Sequence, residues 1–327
     1  MLRLSASAHH RVSIGLISAC LLLHDAAWAQ PTPAPSIPPA ESSPAPASQL
    51  SAPQSLRWHW QPGRTYTLET DTETALSLEP LGEAGEQLLH LVQTTTIQVE
   101  KHPSGKVLDV HFTAIHGTLR AQSQTFYYDS ADAAASHPAL VEMLTPSVGI
   151  SFRLIYSADD RFVRIEQSDT PSPSGGLLAL ANVRDIAELF RRSLEMGLPR
   201  PAVRPEDTWT SDETITFPQT GPMKIALHCT YTAETQRAGH PQARVAFEGK
   251  FQRLAANTAA SPTTNPALPQ LQDGSQMTGQ LFFDLDRRVV SQSLFQTELT
   301  LEKDGLKLPI RQTVATRLTD LKPNPSH

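Results

Sequence analysis

One stretch near the middle of the chain decides the fold: residues 177–198 read LLALANVRDIAELFRRSLEMGL. Its apolar residues recur at i, i+3, i+4, i+7 and i+11, which places them on one face of an α-helix, with most of the charged residues on the other. The residues of this apolar face are Val183, Ile186, Ala187, Phe190 and Leu194.

The ends of this helix carry their own signals. Asn182 is a typical N-cap residue, and Gly197 followed by Pro199 is a typical stop, because glycine accepts the left-handed cap and proline cannot continue the hydrogen bonding. We therefore predict a single amphipathic helix over residues 177–198. Its apolar face needs a partner, which must come from the flanking segments.

The segments on both sides of the helix are typical of β-strands. From Leu56 onward, apolar and polar residues alternate, as half-buried strands require, and glycine, proline and aspartate mark the turns. We predict a first β half over residues 56–176 and a second over residues 199–320. The fold class is then mainly antiparallel β, with two similar curved sheets or half-barrels packed on the central helix.

The two halves share a pattern, which indicates an internal duplication spanning residues 56–167 and 203–318. Residues 61–67 read QPGRTYT and residues 204–210 read RPEDTWT. Each half continues with a hairpin, a loop, a strand, an Asp-Arg turn and a further strand. The alternative is that any antiparallel meander produces such similarities.

Residues 1–29 are predicted to be a signal peptide. Basic residues precede an apolar run of about 12 residues, too short for a membrane span of about 20, and Ala27-Trp28-Ala29 offers a cleavage site before Gln30. The competing interpretation is a lipoprotein signal, because residues 17–20 read ISAC and Cys20 would then be lipidated.

Residues 30–55 consist mostly of proline, alanine and serine, so we predict a disordered tether that holds the domain away from a membrane or wall. A tail without a role is the alternative interpretation. Residues 255–275 are predicted to form a disordered loop, and residues 321–327 a short tail.

Composition excludes some classes of function. The net charge is −6 and there is no basic block, so the chain lacks the lysine and arginine clusters that bind nucleic acid or anionic membrane surfaces. The two cysteines are Cys20 and Cys229. Cys20 is either removed or lipidated in these predictions, so no intramolecular disulfide is expected.

Four short motifs resemble a known family. Residues 61–66 (QPGRTY) resemble its opening G-x-x-Y strand, residues 126–130 (FYYDS) its Y-D-S signature, and residues 149–152 (GISF) its G-x-x-F strand. Residues 205–209 (PEDTW) resemble its P-G-D-x-W motif, with Glu206 in place of the usual glycine. The family is an uncharacterised domain of unknown function in bacterial exported proteins and lipoproteins. The resemblance implies a location in the periplasm or at the outer membrane, and no catalytic residues.

A few side chains could bind a ligand or carry chemistry. Trp58 and Trp60 flank His59 and share one strand face, which suits either ligand stacking or ordinary packing. Cys229 lies in a strictly alternating strand and is predicted to be a buried thiol, whereas the adjacent His228 faces the other way.

No metal or cofactor is expected. His111 and His116 fall on opposite strand faces and no second ligand cluster accompanies them. Asp159-Asp160 and the pair Asp284 and Asp286 lie at turns. Such residues can bind calcium but mostly hydrogen-bond to local backbone groups.

Three hypotheses for function remain. The first is an envelope protein, without enzymatic activity, that binds a lipid or other apolar ligand in a groove formed with Ile186, Phe190, Trp58 and Trp60. The second is a structural or interaction module that contacts an envelope protein partner. The third is a hydrolase with dispersed catalytic residues, although no familiar catalytic motif is present.

Overall fold

The computed structural model describes residues 52–77, 86–121, 124–166, 182–217, 221–237, 239–253, 270–303 and 305–324. The predicted signal peptide, Cys20 and most of the predicted tether and 255–275 loop lie outside these residues. The strands are β1 (Arg64–Leu76), β2 (Gln87–His102), β3 (Gly105–Ala121), β4 (Gln124–Asp129), β5 (Ser151–Tyr156), β6 (Phe162–Glu166), β7 (Thr208–Phe217), β8 (Gly221–Arg237), β9 (His240–Arg253), β10 (Gln270–Leu271), β11 (Gln276–Asp284), β12 (Val289–Lys303) and β13 (Leu306–Pro323). The helices are α1 (Pro138–Leu144) and α2 (Val183–Glu195).

All the strands belong to one antiparallel sheet. Its order is β6-β5-β3-β2-β1-β13-β12-β11-β9-β8-β7, with β4 added to β3 and β10 to β12. The predicted mainly antiparallel β fold is confirmed. The two predicted sheets, however, are joined into one, because β13 pairs with β1 from Arg64↔Pro323 to Leu76↔Ile310. Strands β6 and β7 are the two ends of this order, and α2 lies between them in the chain.

The two halves have the same strand order, β1-β2-β3-β5-β6 and β7-β8-β9-β11-β12. The turns that open them also correspond. Gly63 and Glu206 both have positive φ, 81° and 76°. The Gly63 N–H donates to the Val99 carbonyl at 2.8 Å, and the Glu206 N–H donates to the Tyr231 carbonyl at 2.7 Å. These features agree with an internal duplication, which stays a prediction.

Glu206→Gly is expected to stabilise the protein by about 1 kcal/mol, because a side chain disfavours the left-handed conformation that this turn requires. The measurement is the free energy of unfolding by urea denaturation. The matched control is Glu248→Gly on the exposed face of β9, which should be destabilising because glycine weakens a strand. Equal destabilisation by both changes would contradict the expectation.

Helix α2 is shorter than the predicted 177–198. The Asn182 side chain accepts a hydrogen bond from the Asp185 N–H at 2.8 Å, so the predicted N-cap is the actual one. The helix ends at Glu195, just before Gly197 with φ 76°. Residues 177–181 lie outside the described part of the chain. Neither described helix has the length and apolar character that crossing a bilayer would require.

The apolar face of α2 is buried mainly against the first half of the sheet. Four of its predicted residues join one core cluster with β1, β2, β3 and β5, and Phe190 packs against the edge of that cluster. Leu189 instead joins the core of the second half. The helix therefore contacts both halves, although unequally.

A segment ahead of β1 ties the two halves together. Gln54 pairs through its backbone with Val203, so ordered structure begins before Leu56, inside the predicted 30–55 tether. The His59 N–H donates to the Arg288 carbonyl at 2.8 Å, and the Trp60 N–H donates to Asp160 Oδ1 at 3.0 Å. We call residues 56–60 the strap.

A buried ion pair holds the strap on the first half. Lys106 Nζ lies 2.5 Å from Asp160 Oδ1, and both side chains are less than a tenth exposed. His59 Nδ1 lies 2.8 Å from the other carboxylate oxygen. Beside Lys106, Gly105 has φ 138°, and a Cβ there would fall within 3 Å of backbone atoms of residues 156–158. The strap, the β2–β3 hairpin and the β5–β6 turn thus meet at one place.

Candidate functional site

A cavity of about 160 Å³ lies between α2 and the inner face of the sheet. Its walls come from both halves of the protein. Its large apolar side chains include Trp58, Leu68, Phe112, Ile186, Phe190 and Phe295. A water molecule needs about 10–15 Å³ of such space, so the cavity has room for a chain of about ten heavy atoms.

The structure brings three of the four predicted ligand residues together. Ile186, Phe190 and Trp58 line the cavity. Trp60 does not line it: its ring stacks on Trp58, with centroids 4.4 Å apart and planes at 9°, and lies behind it against Tyr66. Trp60 therefore supports the Trp58 wall from outside.

A polar band, which was not predicted from the sequence, also lines the cavity. Its residues are Thr70, Thr72, Gln93, Thr95, Ser293 and Thr316. Thr70 and Thr316 face each other across β1 and β13 with their hydroxyl oxygens 3.2 Å apart. The sequence feature that could have predicted this band is the run TDTET at 70–74. Its threonines alternate with acidic residues, so the threonines lie on one strand face and the acidic residues on the other. The cavity thus has a few hydrogen-bonding groups on an otherwise apolar wall.

A second space, a cleft of about 910 Å³, opens between the edge strands β6 and β7. It is lined by the strap, the end of α2, the start of β7 and the turn before β6. Five arginines contribute to its walls: Arg57, Arg161, Arg191, Arg192 and Arg200. Trp58 lines both this cleft and the cavity, so the two spaces are neighbours.

Two of these arginines belong to an ion-pair network on α2. Arg191 contacts Glu188 at 2.8 Å and Glu195 at 2.7 Å, and Arg192 contacts Glu188 at 2.7 Å and Glu213 at 3.0 Å. Burial raises the pKa of Glu195. Burial also acts to raise the pKa of Glu188, but hydrogen bonds and charge from the two arginines lower it overall. The network joins α2 to β7 across the open edge.

Cys229 is fully buried, as predicted, and burial raises the pKa of its thiol to about 12. His228 lies on the opposite, exposed strand face. A thiol with such a pKa is not a nucleophile at neutral pH, so Cys229 acts as a core residue.

A histidine, an aspartate and a serine do come close on the outer surface, near β3 and β4. His116 Nδ1 lies 3.3 Å from Asp129 Oδ1. The Ser136 hydroxyl, however, donates to the Asp132 and Asp129 carbonyls at 2.9 and 3.3 Å. These contacts are those of a surface turn, because Ser136 is held by backbone groups instead of the imidazole.

Aspartates at turns are possible calcium ligands. His240, Asp284 and Asp286 offer ligand atoms within 4.8 Å of one another. Asp284 Oδ1 accepts from the Asp286 and Arg287 N–H groups at 3.1 and 2.9 Å, as turn aspartates usually do. Asp160 is held by Lys106. His111 lies 3.2 Å from Asp109 on the surface.

The fold and the cavity define a class: a large antiparallel sheet that packs one helix over an apolar interior space. A solved structure of lipovitellin that describes its lipid–protein interactions is similar to this chain. The TM-score is 0.51, and the sequences are 12% identical over 82% of this chain. The chain spans about a quarter of lipovitellin's length, 26%. This likeness shows a shared fold.

Two bacterial structures match over nearly their whole length but superpose poorly. A candidate lipoprotein from Parabacteroides distasonis is 12% identical, with 83% of this chain and all of that chain covered, at a TM-score of 0.26. An exported protein from Bacteroides fragilis with a YmcC-like fold is 11% identical, with 82% and 99% covered, at 0.25.

No family model matches the sequence, so the family resemblance stays a prediction. A search of curated proteins also found no match.

Proposed function

We propose that this is an exported protein of the bacterial cell envelope that binds the apolar chain of a lipid-like ligand in the cavity under α2. The observation that carries the proposal is the cavity itself. Protein cores are usually packed as densely as organic crystals, and this space is bounded by apolar side chains of α2, the strap and both halves of the sheet.

The energetics of packing support a ligand. Empty space against apolar side chains is unfavourable, because the atoms that line it lose packing contacts. An acyl chain in the cavity would recover much of this free energy through contacts with Ile186, Phe190 and Trp58. The threonine band would hydrogen-bond to a polar group or to water near the chain.

The location rests on the N-terminal sequence. The predicted signal peptide directs export, and the mature protein begins either at Gln30 or at a lipidated Cys20. The fold likeness to lipovitellin, whose described interactions are with lipid, agrees with an apolar ligand. Native mass spectrometry of protein purified from its own envelope should detect a co-purifying lipid.

A variant that fills the cavity is expected to lose ligand. Thr316→Phe places a ring in the cavity, and the affinity for decanoic acid, whose ten-carbon chain matches the space, should fall at least about tenfold, or 1.4 kcal/mol. Isothermal titration calorimetry measures the dissociation constant.

The matched control for this variant is Thr313→Phe, the same change on the opposite face of β13, which should leave the affinity unchanged. Failure of the unmodified protein to bind the probe, or undiminished binding by Thr316→Phe, would contradict the proposed function.

A further inference from the structure

We propose that the cleft between β6 and β7 binds the anionic head group, a phosphate or carboxylate, of the ligand whose chain occupies the cavity. The inference rests on the proposed function and adds the chemical class of the ligand, an anionic amphiphile. It is carried by the charges of the cleft and by the wall that the cleft shares with the cavity at Trp58.

The carboxylates of the cleft are already matched by cations. Each acidic residue that lines it has a partner within ion-pair distance. The pairs are Asp160–Lys106, Glu195–Arg191, Glu213–Arg192 and Asp212–Lys224. Glu188 also pairs with Arg191 and Arg192, so this network carries one negative charge in excess, which the three remaining arginines outweigh.

Three arginines are left over: Arg57, Arg161 and Arg200. Among the described residues, none of them forms an ion pair with a carboxylate. Arg57 donates to the Arg200 carbonyl at 3.4 Å, which leaves its charge uncompensated. Guanidinium groups match phosphate and carboxylate oxygens with two parallel hydrogen bonds. Three of them around one cleft make a site for an anion.

Trp209 also lines the cleft. Its indole nitrogen has no hydrogen-bond partner within the described residues but is buried, so a head-group oxygen would reach it only if the ring moved.

The two spaces are arranged for a molecule with a charged end and an apolar end. Trp58 forms part of both walls, and its indole N–H donates to the Leu194 carbonyl of α2 at 2.8 Å. On α2, Phe190 and Leu194 line the cavity, whereas Arg191 and Arg192 line the cleft. Because the whole chain carries a net charge of −6, preference for an anion must come from this local cluster.

The test uses dodecyl phosphate, the neutral dodecanol and inorganic phosphate, with dissociation constants from isothermal titration calorimetry. The unmodified protein should bind dodecyl phosphate at least about tenfold more tightly than dodecanol, since charge-assisted hydrogen bonds are the stronger kind. The triple variant R57Q/R161Q/R200Q should bind both equally, with the dodecanol affinity unchanged. The control R120Q/R184Q/R311Q removes the same charge elsewhere on the surface and should behave as the unmodified protein.

The outcomes separate the two proposals. Equal binding of dodecyl phosphate and dodecanol by the unmodified protein, or an equal effect of both triple variants, overturns the head-group site and leaves the proposed function standing. Binding of inorganic phosphate as tight as that of dodecyl phosphate, without binding of dodecanol, supports an anion site for free phosphate and overturns the amphiphile. Absence of binding by all three compounds overturns both.

Discussion

Asp160→Asn lowers the free energy of unfolding by about 3–5 kcal/mol in our expectation, because it leaves the Lys106 ammonium buried without a counter-charge. The Lys106 and Asp160 side chains are only 8% and 6% exposed. Asparagine has the size of aspartate and tolerates the positive φ of 59° at this position, so the loss would report the charge. Chemical denaturation gives the free energy, and near-ultraviolet circular dichroism reports the stacked Trp58 and Trp60.

Two further variants make the result specific. Lys106→Met combined with Asp160→Asn removes both charges and should recover most of the loss, since a neutral pair has no unpaired ion to bury. Asp286→Asn changes the corresponding turn of the second half, where the side chain is 60% exposed, and should stay within about 0.5 kcal/mol. If Asp160→Asn and Asp286→Asn lowered the free energy of unfolding by similar amounts, the buried ion pair would contribute no more to stability than an exposed turn aspartate.

Gly105→Ala is the second change with a large expected effect, a loss of about 3–5 kcal/mol. Gly105 has φ 138°, a region essentially closed to other residues, and a Cβ would collide with the backbone of residues 156–158. Neither problem can be relieved by a side-chain rotation, because the atoms in the way are main-chain atoms. The expected consequence is that the β2–β3 hairpin separates from the β5–β6 turn.

Gly305→Ala is the matched control, in the hairpin between β12 and β13. Its φ is also positive, 79°, but no atom of the described residues lies within 4 Å of the Cβ position. Only the backbone strain remains there, about 1–2 kcal/mol. Urea denaturation of both variants measures the difference, and equal losses would mean that the close approach at Gly105 is relieved by a small shift.

The elements predicted best from the sequence depend on neighbours along the chain. The apolar face of α2, its Asn182 cap and the stop at Gly197 follow from residues within a few positions of one another. Alternation likewise identified the strands, because which side of a strand is buried is a local property. The run of residues 177–181, predicted as helix, lies outside the described residues.

The pairing of strands could not be predicted in the same way. Alternation states which face is buried but not which strand lies alongside, so the β1–β13 ladder and the single sheet were missed. The polar band of the cavity could not be predicted for the same reason, because Thr70 and Thr316 come together only when β1 pairs with β13. The cleft collects Arg57, Arg161 and Arg200 from three distant segments, and their shared location depends on the tertiary fold.

The β1–β13 ladder has a consequence for how the protein reaches its native state. Arg64 pairs with Pro323, so β1 cannot complete its hydrogen bonding until β13, near the end of the chain, has been synthesised. Pairings between segments far apart in the sequence slow folding. Until β13 pairs with β1, one edge of β1 has unpaired backbone N–H and C=O groups that can bind a strand of another chain. A nascent chain therefore passes through a period of exposure to aggregation, during which a chaperone that covers β1 would protect it.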